Sequence, residues 1–234
     1  MGVRFADAAY DLLFDGRCPG CAAPGRGVCA ACAGTVMAPR VGPHHRDVLT
    51  TPLWSAGPYV DPLRRIIAHA KDRHRWDALA LLSRRLGLAV AGLADDLGLT
   101  GDGVLVPFPS QPAAVRERGL DFTAALAAGA GRLLVRAGLP VHVHPGLAHT
   151  RTVRDQAGLT TAERLANLGG ALVATAKPAG WVVLVDDVVT TGASLAEGVR
   201  ALTAAGHAPV GLATVAATIL RAPPASVSTT SGLT

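Results

Sequence analysis

The sequence predicts an α/β protein, a parallel sheet covered by helices on both faces and preceded by a small cysteine-bearing element. From residue 104 onward, short apolar runs alternate with segments whose apolar residues recur at helical spacing. Those runs do not alternate apolar with polar residues, as expected of strands buried between two helical layers. All four cysteines fall in "CPGCAAPGRGVCAAC", residues 18–32, ahead of that pattern.

The first sixteen residues, "MGVRFADAAYDLLFDG", mix charges into their apolar residues and do not build a signal peptide. No apolar run approaches the roughly 18 residues of a membrane span, so a soluble, cytoplasmic protein is expected. Cys18, Cys21, Cys29 and Cys32 stand as C-x2-C-x7-C-x2-C. Two such knuckles complete the tetrahedral sulfur shell of a structural zinc and leave no open position for catalysis. The glycines and prolines between them permit tight turns. A pair of disulfides is the other arrangement, but cytosolic thiols usually stay reduced. His44 and His45 read as loop residues, because four cysteines need no further ligand. "APRVGPHHRDVLTTP" reads as a linker, so residues 1–50 are expected to form a small zinc-ribbon-like element and its connection.

In residues 51–100, "LWSAGPYV" reads as a short strand. "DPLRRIIAHAKDRHRWDALALLSRRLGLAVAGLADDLG" reads as two helices broken near Arg73 and His74. Leu63, Ile66, Ile67 and Ala70 share the buried face of the first, with Asp61 as N-cap and Pro62 at the first helical position. The other face carries Arg64, Arg65, Lys71, Arg73 and Arg75, followed by Trp76. A basic face beside an aromatic suits single-stranded nucleic acid; it equally describes a solvated helix face with Trp76 packed into the core. The formal charge of +5 and pI of about 9.5 weakly favour an anionic partner. Lys71 and Lys177 are the only lysines, so nearly all the positive charge is arginine, suited to bidentate phosphate contacts. A biased genome would give the same Ala-, Gly- and Arg-rich composition.

The main domain is expected over residues 101–221. "VLVPFP" is a strand, "DFTAALAAGAGRLLVRAG" a helix ended by Gly138, and "VHVH" a strand whose His142 and His144 read as packing residues. "TTAERLANL" is a helix, with Thr160 and Glu163 spaced as a capping box. "WVVLV" is a fully apolar strand, "SLAEGVRALTAAG" a helix and "APVGLATVAAT" the closing strand. Residues 222–234 lack periodicity and are expected to form a disordered tail.

"VVLVDDVVTTGAS", residues 182–194, carries the chemistry. Asp186 and Asp187 fall at the carboxyl end of the apolar strand, where such sheets place their ligand sites. A Walker B strand also ends in acids, but neither Lys71 nor Lys177 follows the glycine that a P-loop requires, which excludes that class. The one G-x-G-x-x-A match, residues 25–30, lies inside the cysteine cluster with no strand before it and is accidental. "TTGAS" opens a helix, so backbone N–H groups and the positive end of the helix dipole converge where a phosphate can sit. Thr190, Thr191 and Ser194 add hydroxyls, Gly192 permits close approach, and Ala193 contributes backbone. Ser194 and Glu197 also have capping-box spacing, which does not explain the aspartates. Two carboxylates would repel a phosphate unless they bind hydroxyls or a cation. A ribose 5-phosphate with Mg²⁺ satisfies both halves.

These residues resemble the PRPP-binding motif of type I phosphoribosyltransferases, with four apolar residues, two acids, a variable pair, then T-T-G-x-[ST]. From Cys18 to about Thr218 the chain is similar to the ComF family, competence-associated proteins with a phosphoribosyltransferase-like domain behind a four-cysteine zinc element. The similarity includes "YVDPLRRIIAHAKDRHRWD", "LVPFPSQPAAVRERG" and "RTVRDQAGLTTAERLANLGGAL", in which Thr152, Gln156, Leu159, Arg164 and Asn167 fall at family spacing. The chain departs from the family at "RGLDF", where Asp121 and Phe122 replace the usual Asn-Gln pair.

The resemblance implies displacement of pyrophosphate from C1 of the ribose through an oxocarbenium-like transition state. Asp186 and Asp187 would hold the ribose hydroxyls, directly or through Mg²⁺, and stabilise developing charge. Residues 190–194 would bind the 5-phosphate. Lys71, Arg116 and Arg118 are candidates for the pyrophosphate, and residues 151–156, with Arg151 and Gln156, for a loop closing over the site. The family's link to DNA uptake implies single-stranded DNA and a competence helicase as partners. It leaves open a catalytically silent, PRPP-responsive DNA-binding protein.

Overall fold

A computed structural model describes residues 16–38, 41–72, 75–151, 163, 167–175 and 179–219. Its helices are α1 (Ala30–Met37), α2 (Leu63–Asp72), α3 (Leu79–Asp96), α4 (Pro112–Arg118), α5 (Phe122–Arg136) and α6 (Ala193–Ala204). The strands are β1 (Gly42–His44), β2 (Leu53–Ser55), β3 (Gly103–Pro107), β4 (Val141–Val143), β5 (Leu147–His149), β6 (Leu172–Ala174), β7 (Trp181–Val189) and β8 (Gly211–Ala217). A 3-10 turn, Trp76–Ala78, precedes α3.

The main sheet has the order β1-β2-β8-β7-β3-β4 and is parallel except where β1 pairs antiparallel with β2. Its strands are apolar on both faces, and the two faces feed separate cores. Leu105, Val183, Val185, Ala213 and Val215 pack with Leu63, Ile66, Leu86, Leu93, Phe122 and Leu126 beneath α2, α3 and α5. Val104, Val106, Val182, Leu184 and Leu212 pack on the other side with Leu195 and Leu202 of α6. The period of two along β3 and β7 therefore sorts residues between two buried layers, and the expected α/β class with a helix-flanked, mostly parallel sheet holds.

The order of strands positions the site. From β3 the chain passes through α5 to β4 on one side; from β7 it passes through α6 to β8 on the other. The carboxyl ends of β3 and β7 thus flank a topological switch point, where an open α/β sheet leaves a crevice. Pairing of β3 with β7 ends at Pro107 and Val185, but β7 continues beside β8 from Asp186 to Val189. Asp186 and Asp187 therefore lie within a strand that has lost one neighbour, not in a loop after it.

Five further differences from the sequence reading have local causes. The residues read as a linker contribute β1, which needs only three pairings to edge the sheet. α2 begins at Leu63, while Asp61 accepts Arg64 Nε and Nη2 at 3.0 and 3.2 Å. Short α4 and the antiparallel pair β5–β6 were not expected, being too brief to show a period. The Ser194–Glu197 capping box does not form, because Gly192 is the N-cap of α6. Glu197 instead accepts the Leu172 N–H and both Nε and Nη2 of Arg200, tying α6 to β6. Asp121, set aside at sequence level, is the N-cap of α5, accepting the Ala124 N–H and the Ser110 hydroxyl, each at 3.0 Å. Arg73, Thr152, Gln156, Leu159, Thr160, Arg164 and the tail lie outside the described residues, and no helix among those described is long and apolar enough to cross a membrane.

Candidate functional site

Asp186 and Asp187 are 8 % and 5 % exposed. Consecutive strand residues point to opposite faces, and the turned Asp186 side chain accepts the Asp187 N–H at 2.8 Å through Oδ1. Asp187 Oδ2 meets Lys71 Nζ at 2.5 Å. Lys71 reaches it from the last turn of α2, with its ammonium 5.5 Å from the centre of the Phe122 ring. Burial and then the Asp187 charge push the Asp186 carboxyl well above the usual carboxylate range. Burial opposes the Lys71 charge, but Asp187 and, more weakly, Asp186 outweigh it and raise its pKa. Burial, followed by the Asp187 charge, raises the Tyr59 phenol as well. Lys71 thus neutralises one of two adjacent, largely desolvated acids.

The cradle residues follow at once. Gly192 takes the left-handed conformation, φ 89°, between β7 and α6. A Cβ there would stand 3.1 Å from Leu49 Cδ1 and Val48 Cγ2. The Thr191 hydroxyl accepts the Ala193 N–H at 3.4 Å, and Ser194 lies in the first turn of α6. The first N–H groups of a helix have no intrahelical acceptor, so this turn presents donors. Among the candidate cations, Arg118 is the one that joins Lys71: it lies 3.7 Å from Asp72 and close enough to Lys71 to oppose its charge. Arg116 is exposed on α4. Arg151 is exposed and donates to the carbonyls of Asn167 and Gly169 at 2.8 and 3.2 Å.

The sequence reading missed Tyr59 and Arg46. Arg46 is 5 % exposed and donates through Nε to the Thr190 carbonyl at 2.7 Å and through Nη2 to the Thr218 carbonyl at 2.6 Å. An arginine among "PHHRD" in a polar stretch gave no signal of burial. The expected basic face of α2 is also reduced. Arg75 turns inward, donating to both Asp77 carboxylate oxygens at 3.0 and 2.8 Å and to the Arg17 carbonyl at 2.8 Å. A short polar insert between two helices lets it reach the cysteine element instead of solvent.

That element brings the four sulfurs within 4.8 Å of one another. Tetrahedral coordination at a Zn–S length of about 2.3 Å requires sulfurs about 3.8 Å apart, and Cys21 and Cys29 already stand 3.7 Å apart. Burial opposes the Cys18 thiolate, but the N–H groups of Cys29, Cys21 and Gly20 outweigh it and lower its pKa to about 6. Burial, then the neighbouring thiols, push the Cys32 thiol up. The cluster is a candidate metal site built into the core: Cys18, Cys32 and Val36 pack with Leu63, Ile66 and Ile67 of α2. A Cβ on Gly20 would stand 2.8 Å from Cys32 Sγ and 3.1 Å from Pro62 Cβ.

Fold and site define a mostly parallel α/β protein with a charged crevice at its switch point and a four-cysteine cluster against the helix that supplies the crevice lysine. No protein-family model matches the chain, and no curated protein matches it. It matches the structure of Leishmania donovani UMP synthase at 18 % identity and a TM-score of 0.28, over 68 % of this chain and 24 % of that one. The chain spans about a quarter of that protein's length, and superposition this loose does not relate the two folds in detail.

Proposed function

We propose that the protein binds PRPP with Mg²⁺ in the crevice, as a cytoplasmic phosphoribosyltransferase-like protein of the ComF type. One observation carries the reading: two nearly buried acids, paired with Lys71, stand directly before the Thr190–Ser194 turn at a helix N-terminus. Acids alone would hold a cation and the turn alone an anion. A sugar phosphate uses both. Asp186 and Asp187 would orient the ribose hydroxyls, and Thr190, Thr191, Gly192, Ala193 and Ser194 would take the 5-phosphate. Lys71, Arg118 and Arg116 are the donors proposed for pyrophosphate, and residues 151–156, with Arg151 and Gln156, are proposed as a loop that closes over the site. Mg²⁺ supplies charge neutralisation for the polyphosphate. Zinc is the proposed occupant of Cys18, Cys21, Cys29 and Cys32, with a structural role.

Calorimetry tests the donor site. PRPP with Mg²⁺ is expected to bind the wild type and to be lost in Asp187→Asn; absence of binding to the wild type sinks the reading. Pyrophosphate release across a panel of bases and amines then separates a transferase from a catalytically silent, PRPP-responsive protein.

A second reading adds single-stranded DNA handling in competence, with a helicase partner. A groove of about 590 Å³ between α3 and α5 supports it, because exposed Arg84, Arg132 and Arg136 line it together with Trp76. Its affinity for a single strand should fall steeply with salt and weaken when Arg132 and Arg136 become Ala; indifference to both counts against it.

A further inference from the structure

We infer that Arg46 is a positioning residue for the phosphate cradle, orienting the Thr190–Thr191 peptide so that its N–H faces the anion. The inference rests on the proposed phosphate site and extends it to a segment outside the motif. Arg46 spends its donors on three carbonyls, those of Thr190, Thr218 and His45, at 2.7, 2.6 and 2.7 Å. Thr190 follows β7 and Thr218 follows the neighbouring β8, so one planar guanidinium spans the exits of two adjacent strands. The Thr218 hydroxyl also donates to the Thr190 carbonyl at 3.3 Å.

The consequence follows from peptide geometry. In a planar trans peptide the C=O and the following N–H point in opposite directions. Holding the Thr190 carbonyl on Arg46 therefore turns the Thr191 N–H away from Arg46. The same segment fixes the next residue, since Val48 and Leu49 fill the space where a Gly192 side chain would begin. Residues 46–49 thus set the direction of a donor and leave no room for a side chain at position 192.

The Arg46 charge is itself held without a counter-ion among the described residues. Arg46 is buried, and among the described residues its partners are carbonyl oxygens, with no carboxylate in ion-pair contact. Desolvation lowers its pKa without a compensating acid. Its charge therefore adds to the positive potential of the strand exits it holds together.

The test titrates ribose 5-phosphate into wild type, Arg46→Lys and Thr218→Ala by calorimetry, and follows amide hydrogen exchange of the same proteins. Lysine keeps the charge but cannot span both carbonyls. Its expected effect is a loss of about tenfold or more in affinity, the usual scale for a hydrogen bond to a charged group. Faster exchange should be confined to the peptide covering residues 190–195. Thr218→Ala leaves the buried guanidinium untouched and should weaken binding by about threefold, the scale of one neutral hydrogen bond. Should Arg46→Lys fail to fold, Arg46→Gln, which removes the buried charge and cannot span both carbonyls, takes its place. Failure of the wild type to bind ribose 5-phosphate overturns the cradle and this inference together. Wild-type binding with unchanged affinity in the foldable Arg46 variant overturns the role of Arg46 alone, as does exchange that rises throughout the protein instead of in the cradle.

Discussion

Replacing Lys71 by methionine isolates the charge balance of the crevice. The substitution keeps most of the side-chain stem over Phe122 and removes the ammonium 2.5 Å from Asp187. Two unit charges at that separation attract by about 7 kcal/mol at an effective dielectric of about 20. Desolvation of the pair offsets much of this, and breaking a buried pair by removing one partner typically costs about 3–5 kcal/mol. Lys71 retains 29 % exposure, which places the expected loss at the lower end, about 3 kcal/mol. For a chain of this size that lowers Tm by about 6–12 °C. Asp187→Asn in the Lys71→Met background should restore most of the loss, because it removes the stranded charge. Lys71→Met should also regain stability on acidification as the adjacent acids protonate. In the wild type the raised Lys71 pKa stabilises the fold fully below the ordinary lysine value of 10.5, and the contribution is lost as pH rises through the higher folded value. Thermal melts of both single variants and the double variant measure the coupling. Additive effects, or an unchanged Tm in Lys71→Met, would refute a structural ion pair.

The raised Asp186 pKa means that the native state holds a proton that the unfolded chain releases above about 3.8, so this residue destabilises the fold as pH rises through its folded value. Asp186→Asn should therefore raise Tm by about 2–4 °C at pH values above that window, converge with wild type below about pH 3.8, and lose Mg²⁺-dependent PRPP binding. Gly192→Ala forces a side chain into left-handed backbone against Val48 and Leu49; a loss of about 1–2 kcal/mol in urea unfolding and weaker ribose 5-phosphate binding are expected. Purified protein should contain about one zinc per chain by elemental analysis, and chelation should lower Tm; metal well below that content would refute the four-cysteine assignment.

Much of the fold was legible because its signals are long or chemically specific. β7 and β8 are apolar runs, and α5 is a long periodic segment ended by Gly138. The cysteine knuckles announce their grouping through spacing alone. Elements of three residues, such as β1, β5 and β6, contain too little sequence to show a period, so only tertiary pairing reveals them. The apolar run ends at Val185, but the strand itself runs on through both aspartates to Val189. No sequence feature tells where β3 stops pairing, and that ending is what opens the crevice beside a continuing strand.

Lys71 and Arg46 show a different limit. Their sequence surroundings, "AHAKDR" and "PHHRDV", are polar, and solvent exposure is the ordinary expectation for such side chains. Arg46 is buried and Lys71 half-buried, and residues more than a hundred positions later supply their partners: Asp187 for Lys71, the carbonyls of Thr190 and Thr218 for Arg46. The acids and the cradle come from the second half of the chain, but their counter-charge and their support come from the first. Arg75 donating to the Arg17 carbonyl and Arg85 donating to Ala38 fasten the cysteine element to the helical layer that carries Lys71. Cys18 and Cys32 belong to the same buried core as Ile66 and Ile67 of α2. The helix that supplies the crevice lysine thus shares its core with the cysteine cluster, although no cysteine lies near the aspartates in sequence.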